Sequence, residues 1–277
     1  MRRLFSLLAL FRPLNLFLGA LAVLISAAVL DALHQTAAIV KAVITVVALN
    51  AAANAFNDVR DLEADRINRA NRPLPRGTIS PRTALLSSVV LFGTGATVSL
   101  FLPPAAFVIA AFAAIPLMVA YSIWFKGWPL VGNVTIAAIL GLTFIFAGVA
   151  LGDPWGLLVP ALLAFGFTVV RELIKDMADL EGDRAVRLKT FPVRYGMGPS
   201  VRLALVFIFL LCLGALIPYW LGIYGIRYLI VLVFGIEIPL VSIVFLLVKS
   251  ASVRTCRISS QILKGCIFAG LLAVYLG

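Results

Sequence analysis

Acidic residues are scarce in this sequence. Twelve Asp and Glu stand against 23 Lys and Arg in a chain of 277 residues, and 13% of the residues are charged. A soluble domain carries about twice that fraction of charged residues. Together with a mean hydropathy of +1.10, the shortage of charge excludes an ordinary soluble enzyme.

Histidine and cysteine are rarer still, which removes several classes of site. His34 is the one histidine, and Cys212, Cys256 and Cys266 do not have the spacing of metal ligands. The sequence also lacks a nucleophile elbow, a glycine-rich phosphate loop and an HExxH pair. The three cysteines all lie in or near apolar runs, so we interpret them as packing residues.

Long apolar runs are abundant by contrast. About nine of them approach 20 residues, the length at which a helix crosses the hydrocarbon core of a bilayer. They lie near residues 13–33, 36–57, 82–101, 104–122, 129–151, 155–175, 201–222, 227–249 and 260–277. We therefore predict an all-α, polytopic membrane protein that forms a single domain over residues 1–277, with about nine transmembrane helices in one bundle.

The positive charges predict how the chain is oriented in a cell membrane. The ends of the apolar runs alternate between two sides, and every Lys and Arg except Lys41 and Arg227 falls toward one of them. The positive-inside rule places that side in the cytoplasm, with the N-terminus inside and the C-terminus outside. The net charge of +11 then reflects topology and contact with anionic lipid head groups. No nucleic-acid partner is predicted.

The few acidic residues are concentrated in two copies of one pattern. All except Asp31, Asp153 and Glu237 lie in or beside NDVRDLEADR, at Asn57–Arg66, and KDMADLEGDR, at Lys175–Arg184. The second copy follows at a constant offset that spans about four helices. Because an even number of crossings returns the chain to the same face, both copies are predicted to be cytoplasmic. We predict two parallel four-helix repeats, about 1–122 and 123–249, followed by a ninth helix at about 260–277.

Helical geometry predicts a shared direction for the carboxylates of each copy. At about 100° per residue, Glu63 and Glu181 point away from the remaining acids of their copies. The residues that share one face are Asn54, Asp58, Asp61 and Asp65 in the first copy and Glu172, Asp176, Asp179 and Asp183 in the second. A solvated helix end would explain one such cluster. Two clusters with the same spacing favour Mg²⁺ binding, because this cation is often held by a few carboxylates together with phosphate oxygens.

Basic residues follow each acidic copy in a stretch that ends in Pro and Gly. Arg66 ends the first copy and is followed by Arg69 and Arg72, and Arg187 and Lys189 come after the second copy. Carboxylates, a divalent metal and Arg or Lys together are typical of a diphosphate site. In so apolar a protein, the pattern favours a lipid diphosphate whose tail lies between helices.

These stretches resemble a known family. NDVRDLEAD is similar to the NDxxDxxxD signature of the UbiA superfamily of intramembrane prenyltransferases, and DMADLEGD is similar to its second motif. FRPLN at Phe11–Asn15, YSIWFK at Tyr121–Lys126 and KTFPVRYG at Lys189–Gly196 resemble further family elements. The resemblance implies a nine-helix bundle with a central cavity that opens sideways to lipid. It also implies Mg²⁺-dependent transfer of a prenyl group from a prenyl diphosphate to an acceptor.

The resemblance also implies roles for individual residues, among them the six aspartates of the two motifs as catalytic groups. By motif position, one metal site would use Asn54, Asn57, Asp58, Asp61 and Asp65. The other would use Asp176, Asp179 and Asp183. The residues expected to contact the diphosphate or an anionic acceptor are Arg12, Asn15, Arg66, Arg69, Arg72, Lys126, Arg187 and Lys189.

Two stretches bear on the acceptor. INRANRPLPRGTIS after the first motif and LVGNVTIAAILGLTFIFAG at Leu130–Gly148 resemble archaeal-type family members. Those members transfer a second geranylgeranyl group to geranylgeranylglyceryl phosphate, forming an ether bond of archaeal-type membrane lipids. An aromatic acceptor, such as 4-hydroxybenzoate or a quinone precursor, is the alternative within the superfamily.

Two further alternatives belong to other classes. A membrane transporter could also carry intramembrane acids, but these acids cluster at one face and not near the bilayer midplane. A CDP-alcohol phosphotransferase also uses aspartates and metal in a membrane, but its DGxxAR pattern is absent. The sequence indicates neither the prenyl chain length nor the oligomeric state.

Overall fold

The protein is helical throughout the part of the chain that can be described. The computed structural model describes residues 2–277, with side chains from residue 5 onward, and contains no strand in that range. Its helices are α1 (Arg2–Phe11), α2 (Pro13–Val29), α3 (Thr36–Arg60), α4 (Leu62–Asn68), α5 (Pro81–Ser99), α6 (Pro104–Ile123), α7 (Val131–Leu151), α8 (Leu158–Ala178), α9 (Leu180–Ala185), α10 (Phe191–Tyr195), α11 (Met197–Trp220), α12 (Ile226–Lys249) and α13 (Val253–Leu276).

Six of these helices are long and apolar enough to cross a membrane: α3, α6, α7, α11, α12 and α13. A seventh span is possible if α1 and α2, which meet at a 53° bend, cross as one bent unit. The all-helical membrane fold is therefore confirmed, whereas the count of nine spans stays a prediction. The predicted runs near 82–101 and 155–175 do form helices, α5 and α8. However, α8 carries four charged residues from Arg171 to Asp176, and α5 is rich in Ser, Thr and Gly.

The chain packs as two compact units. The first unit runs to Lys126 and also includes Leu142–Leu158, and the second consists of Gly127–Gly141 and Val159–Gly277. Helix α7 therefore contributes its first half to the second unit and its second half to the first. The two repeats at about residues 1–122 and 123–249 stay a prediction.

Small residues allow close helix packing in the first unit. Helix α3 packs against α5 and α2, and its alanines at positions 48, 51, 52 and 55 are buried. At Gly95 of α5, an added Cβ would lie 2.6 Å from a methyl group of Leu49 on α3. This close approach is typical of helices that associate in lipid, where dispersion contacts replace the hydrophobic effect. It fixes the helix that carries the first acidic motif.

Larger side chains fill the core of the second unit. Leu173, Ile174 and Met177 of α8 are fully buried in a cluster with Leu240 of α12 and Leu263 of α13. The C-terminal turns of α8 are thus enclosed by apolar side chains on one face. That enclosure fixes the helix that carries the second acidic motif.

Each unit also contains a long helix with one wide π-helical segment. Helix α6 is π-helical over Ile109–Ala114 and α12 over Val233–Glu237. In both helices the segment is followed at once by Ile-Pro-Leu, at Pro116 and Pro239. Proline lacks the N–H that an α-helix needs for its i−4 hydrogen bond, so it disturbs the regular ladder of the helix. The two halves therefore share a distortion in addition to their acidic motifs.

Candidate active site

The first acidic motif crosses a helix break without losing its helical spacing. Helix α3 ends at Arg60 and α4 begins at Leu62, with Asp61 between them at φ −91° and ψ 2°. Across the break, the Asp61 N–H donates to the Asn57 carbonyl and the Asp65 N–H donates to the Asp61 carbonyl, each at 2.8 Å. Because both i−4 bonds persist, the aspartates remain in helical register with one another.

The second motif has the same local structure. Helix α8 ends at Ala178, and Asp179 interrupts it at φ −98° and ψ 6°. The Asp179 N–H donates to the Lys175 carbonyl at 2.9 Å, and the Asp183 N–H donates to the Asp179 carbonyl at 3.1 Å. Asp179 matches Asp61 when the two motifs are aligned, so the repeat extends to backbone conformation.

Arginines neutralise the buried carboxylates of the first motif. Asp58 and Asp65 are each 2% exposed. Arg72 donates to Asp58 at 3.2 Å and also to Asp65, Arg12 pairs with Asp58, and Arg69 lies 3.3 Å from Asp65. Burial, and then the nearby charge of Arg12, lower the pKa of Arg72 from its ordinary value. Three cations therefore surround two carboxylates, an arrangement suited to an additional anion.

The remaining predicted ligands of the first motif have contacts of other kinds. Asp61, 14% exposed, pairs with Lys126 in the turn after α6. Asn57 accepts a hydrogen bond from Ser122. Asn54 donates its amide N–H to the Phe11 carbonyl at 3.0 Å. The proposed metal ligand is the other amide atom, Oδ1.

The bend between α1 and α2 positions Arg12. This residue has a left-handed backbone, φ 57°, and is followed by Pro13 at the start of α2. On the other side of the bend, Leu10 is fully buried against Leu74 and Ile79 of the loop that carries the motif's arginines. Helix α1 and this loop therefore hold each other in place. Asn15, half-buried, lies in the first turn of α2, where its N–H donates to the Arg12 carbonyl at 2.8 Å.

Glu172 of the second motif is neutralised within its own helix. It is 3% exposed and pairs with Arg171 at 2.7 Å and with Lys175 at 2.6 Å. Two cations thus satisfy a carboxylate that the helical geometry places on the same face as the motif's aspartates. The structure gives it the role of an ion-pair partner.

Two aspartates of the second motif accept hydrogen bonds from uncharged side chains. Asp176 accepts a hydrogen bond from the Asn133 amide at 2.7 Å. Asp183, 4% exposed, lies 3.5 Å from the Thr190 hydroxyl, and its carbonyl accepts from the Leu188 N–H at 2.9 Å. Asp179 is half-buried.

Several predicted residues lie at the surface. Glu63 and Glu181 are exposed, as the helical geometry predicts. Arg66 is also exposed and pairs with Glu63 at 2.8 Å, so the structure does not bring it to the group formed by the other arginines of its loop. Arg187, with φ 58°, and Lys189 are exposed in the segment after the second motif.

Three residues that contact the motifs are not predicted by the sequence patterns: Ser122, Asn133 and Thr190. Ser122 and Thr190 lie inside stretches that carry the family resemblance, YSIWFK and KTFPVRYG, but the resemblance gave neither a role. Asn133 lies in Leu130–Gly148, which also carries a resemblance without a role for this residue, and it is 5% exposed near the start of a mostly apolar helix. Buried polar side chains usually have a hydrogen-bond partner. A polar amide within an apolar stretch was therefore the signal that Asn133 contacts another polar group.

The chemistry of these side chains fits a magnesium ion that also takes ligands from a phosphate. Each motif offers carboxylate oxygens at helical spacing, and the first adds the amides of Asn54 and Asn57. Such hard oxygen ligands are those that Mg²⁺ prefers. Within residues 5–277, no three His, Cys, Asp or Glu side chains converge into a ready-made metal cluster. The remaining ligands would therefore come from water and substrate, as is usual for this cation.

Comparisons with known proteins agree on one family. Residues 15–260 match the UbiA prenyltransferase family. A relative from Natronomonas pharaonis named digeranylgeranylglyceryl phosphate synthase is 40% identical over 234 residues, which cover 84% of each chain. A solved structure of a digeranylgeranylglyceryl phosphate synthase is 30% identical with a TM-score of 0.73 and covers 100% of this chain and 99% of its own. A UbiA homologue from Archaeoglobus fulgidus bound to DMAPP and Mg²⁺ has the same fold, with 18% identity, a TM-score of 0.68, and coverage of 97% and 99%.

Proposed function

Since the chain belongs to the UbiA prenyltransferase family, we propose that it transfers a geranylgeranyl group from geranylgeranyl diphosphate to the hydroxyl of geranylgeranylglyceryl phosphate. The predicted family membership is confirmed, and the protein is a multi-pass membrane prenyltransferase. The observation that supports the choice of acceptor is the identity to relatives named digeranylgeranylglyceryl phosphate synthase over most of the chain. The product would carry the second ether bond of an archaeal-type membrane lipid.

The two motifs would hold magnesium. Asn54, Asn57, Asp58, Asp61 and Asp65 would serve one ion. Asp176, Asp179 and Asp183 would serve the other. When bound, the metal supplies positive charge that stabilises the departing diphosphate.

The basic residues of the first unit would bind the diphosphate. Three arginines form ion pairs with buried carboxylates of the first motif: Arg12, Arg69 and Arg72. A bound diphosphate would share these arginines with the carboxylates. Lys126 would act beside Asp61, and Asn15 would contribute an amide. Fixed cations stabilise charge that develops on the leaving group without needing to reorganise.

The proposed reaction breaks the allylic C–O bond, and the electron pair leaves with the diphosphate. The acceptor's hydroxyl oxygen then forms a new C–O bond with the allylic carbon and releases its proton. The allylic carbon has carbocation character and is a strong electrophile, so no strong base is assigned. Apolar helices around the reacting groups would keep water from capturing that carbon.

The surface cations of the second unit would face the acceptor. Arg187 and Lys189 are exposed beside the second motif, and a phosphate on the acceptor needs such charge-assisted hydrogen bonds. We further propose nine spans, two parallel repeats, and a cytoplasmic location for both motifs, with the N-terminus inside and the C-terminus outside. The excess of basic residues on one side supports this orientation.

A direct assay tests the proposal. Purified protein in lipid nanodiscs receives Mg²⁺, geranylgeranyl diphosphate, and either geranylgeranylglyceryl phosphate or 4-hydroxybenzoate. We expect an ether product with the first acceptor, formed only when Mg²⁺ is present and lost on chelation. A preference for 4-hydroxybenzoate would contradict the glycerophosphate assignment and support an aromatic acceptor. No transfer to either acceptor would contradict both.

A further inference from the structure

Matching aspartates in the two motifs have different neighbours. Asp58 receives hydrogen bonds from two arginines, Arg12 and Arg72. Its counterpart Asp176 receives a hydrogen bond from the neutral amide of Asn133 at 2.7 Å. Among residues 5–277, no Lys or Arg forms an ion pair with Asp176, and the adjacent Lys175 is committed to Glu172. The two matching aspartates therefore differ in the charge of their hydrogen-bond donors, which are cationic at Asp58 and neutral at Asp176.

The amide of Asn133 is not needed by its own helix. Asn133 lies in the first turn of α7 and is 5% exposed. Two residues later, Thr135 is similarly buried, but its hydroxyl donates to the Val131 carbonyl of the same helix at 2.8 Å. Asn133 instead directs its N–H to a carboxylate 43 positions further along the chain. Thr135 therefore bonds within its own helix, whereas Asn133 bonds to the second motif.

A neutral donor and a cationic donor affect a metal ligand differently. An arginine fixes a carboxylate but also offsets its charge, so an incoming cation competes with it. An amide fixes the orientation of the carboxylate without bringing a positive charge that would compete with the cation. Hydrogen-bond partners of metal ligands commonly change metal affinity by about 10–100-fold when they are removed.

We infer that Asn133 is a positioning residue that orients Asp176 toward a divalent cation without forming a competing ion pair, so that the second motif binds the tighter of two metal ions. The inference rests on the proposed function, in which both motifs bind Mg²⁺. It adds a residue outside the motifs and an order of affinity between them. Asn133 need not touch the substrate or the metal itself.

Metal binding without turnover tests this inference. Mn²⁺ has the charge of Mg²⁺ and accepts carboxylate ligands, and free Mn²⁺ can be followed by electron paramagnetic resonance during titration of the full chain in nanodiscs. We expect Asn133→Ala and Asn133→Leu each to raise the Kd of the tighter Mn²⁺ by about 10-fold or more. Thr135→Ala, the matched control, should stay within about twofold of the wild type. Equal affinity in all four proteins, or an equal loss in Thr135→Ala, would overturn the inference.

Turnover kinetics separate positioning from a loss of structure. In Asn133→Ala, the Mg²⁺ concentration that gives half the maximal rate should rise by the same factor as the Mn²⁺ Kd, whereas kcat at saturating Mg²⁺ should return to within about threefold of the wild type. A lower kcat with an unchanged Mg²⁺ requirement would also overturn the inference. A wild type that binds Mn²⁺ as expected but does not prenylate geranylgeranylglyceryl phosphate contradicts the proposed function alone.

Discussion

Arg72 joins two buried carboxylates of the first motif through one guanidinium group. It contacts Asp58 and Asp65, while Arg12 and Arg69 each contact one of them. Burying a carboxylate is costly unless it is paired and hydrogen-bonded, so these arginines are part of the folded structure as well as candidate ligands for phosphate. Binding of a diphosphate would have to share or exchange these contacts.

The motif aspartates should be essential for turnover. Asp61→Ala and Asp179→Ala each remove a proposed metal ligand, and we expect each to lower kcat by about 100-fold or more. Glu63→Ala and Glu181→Ala are the controls, because their side chains are exposed. Initial rates at saturating Mg²⁺ and donor test this expectation, with thermal unfolding to verify the fold. Near-normal activity in both aspartate variants would exclude the metal assignment.

Arg72 should also matter for stability. Arg72→Ala removes charge-assisted hydrogen bonds from two buried carboxylates, each bond contributing about 1.5–3 kcal/mol. Arg66→Ala is the control, because its exposed pair with Glu63 contributes about 0–1 kcal/mol. We expect a clearly lower unfolding midpoint for Arg72→Ala than for Arg66→Ala in the same detergent. Equal midpoints would mean that Asp58 and Asp65 are satisfied without Arg72.

The cations of the two units should act on different substrates. We expect Arg187→Ala and Lys189→Ala to raise the KM for geranylgeranylglyceryl phosphate several-fold more than the KM for the donor, since both side chains are exposed and outside the first-unit network. Lys126→Ala should act mainly on the donor, because Lys126 pairs with Asp61. Steady-state kinetics with each substrate varied in turn tests both. An effect of all three variants on the donor alone would remove the evidence for an acceptor phosphate site.

At the scale of helices, the acidic motifs owe their geometry to local hydrogen bonds. The carbonyl-to-amide ladder passes Asp61 and Asp179 despite the breaks, so a simple 100° rule predicts which side chains share a face. Their partners could not be predicted in this way. Arg12 meets Asp58 and Ser122 meets Asn57 across 46 and 65 positions of chain, and such contacts depend on tertiary packing. The π-helical segments before Pro116 and Pro239 also lack an apolar-periodicity signal.

Helix α1 should act as a support for the first motif. Leu10→Ala leaves a cavity between α1 and the loop residues Leu74 and Ile79, and buried Leu→Ala changes cost about 2–5 kcal/mol. Leu8→Ala, on the exposed face of the same helix at 47% exposure, is the control. We expect Leu10→Ala alone to lower the unfolding midpoint and to weaken donor binding, because Arg12 follows this helix. An unchanged KM for the donor would show that Arg12 is held independently of α1.

At the scale of the whole molecule, the distribution of basic residues predicts one orientation in the membrane. After replacement of the three native cysteines, Trp155→Cys should react with an impermeant thiol reagent from outside the cell, because Trp155 is 78% exposed in a predicted outer turn. Ala70→Cys, exposed in the loop after the first motif, should react only from the cytoplasmic side. The reverse labelling pattern would invert the topology and the side from which substrates arrive.

Because α7 is divided between the two units, the gene cannot be cut between the motifs without dividing at least one of the units. A cut between Lys126 and Gly127 separates the two acidic motifs, but Leu142–Leu158, which belongs to the first unit, stays on the second fragment. Neither product then contains a complete first unit. Two coexpressed fragments could complement each other only if the second lends this segment to the first.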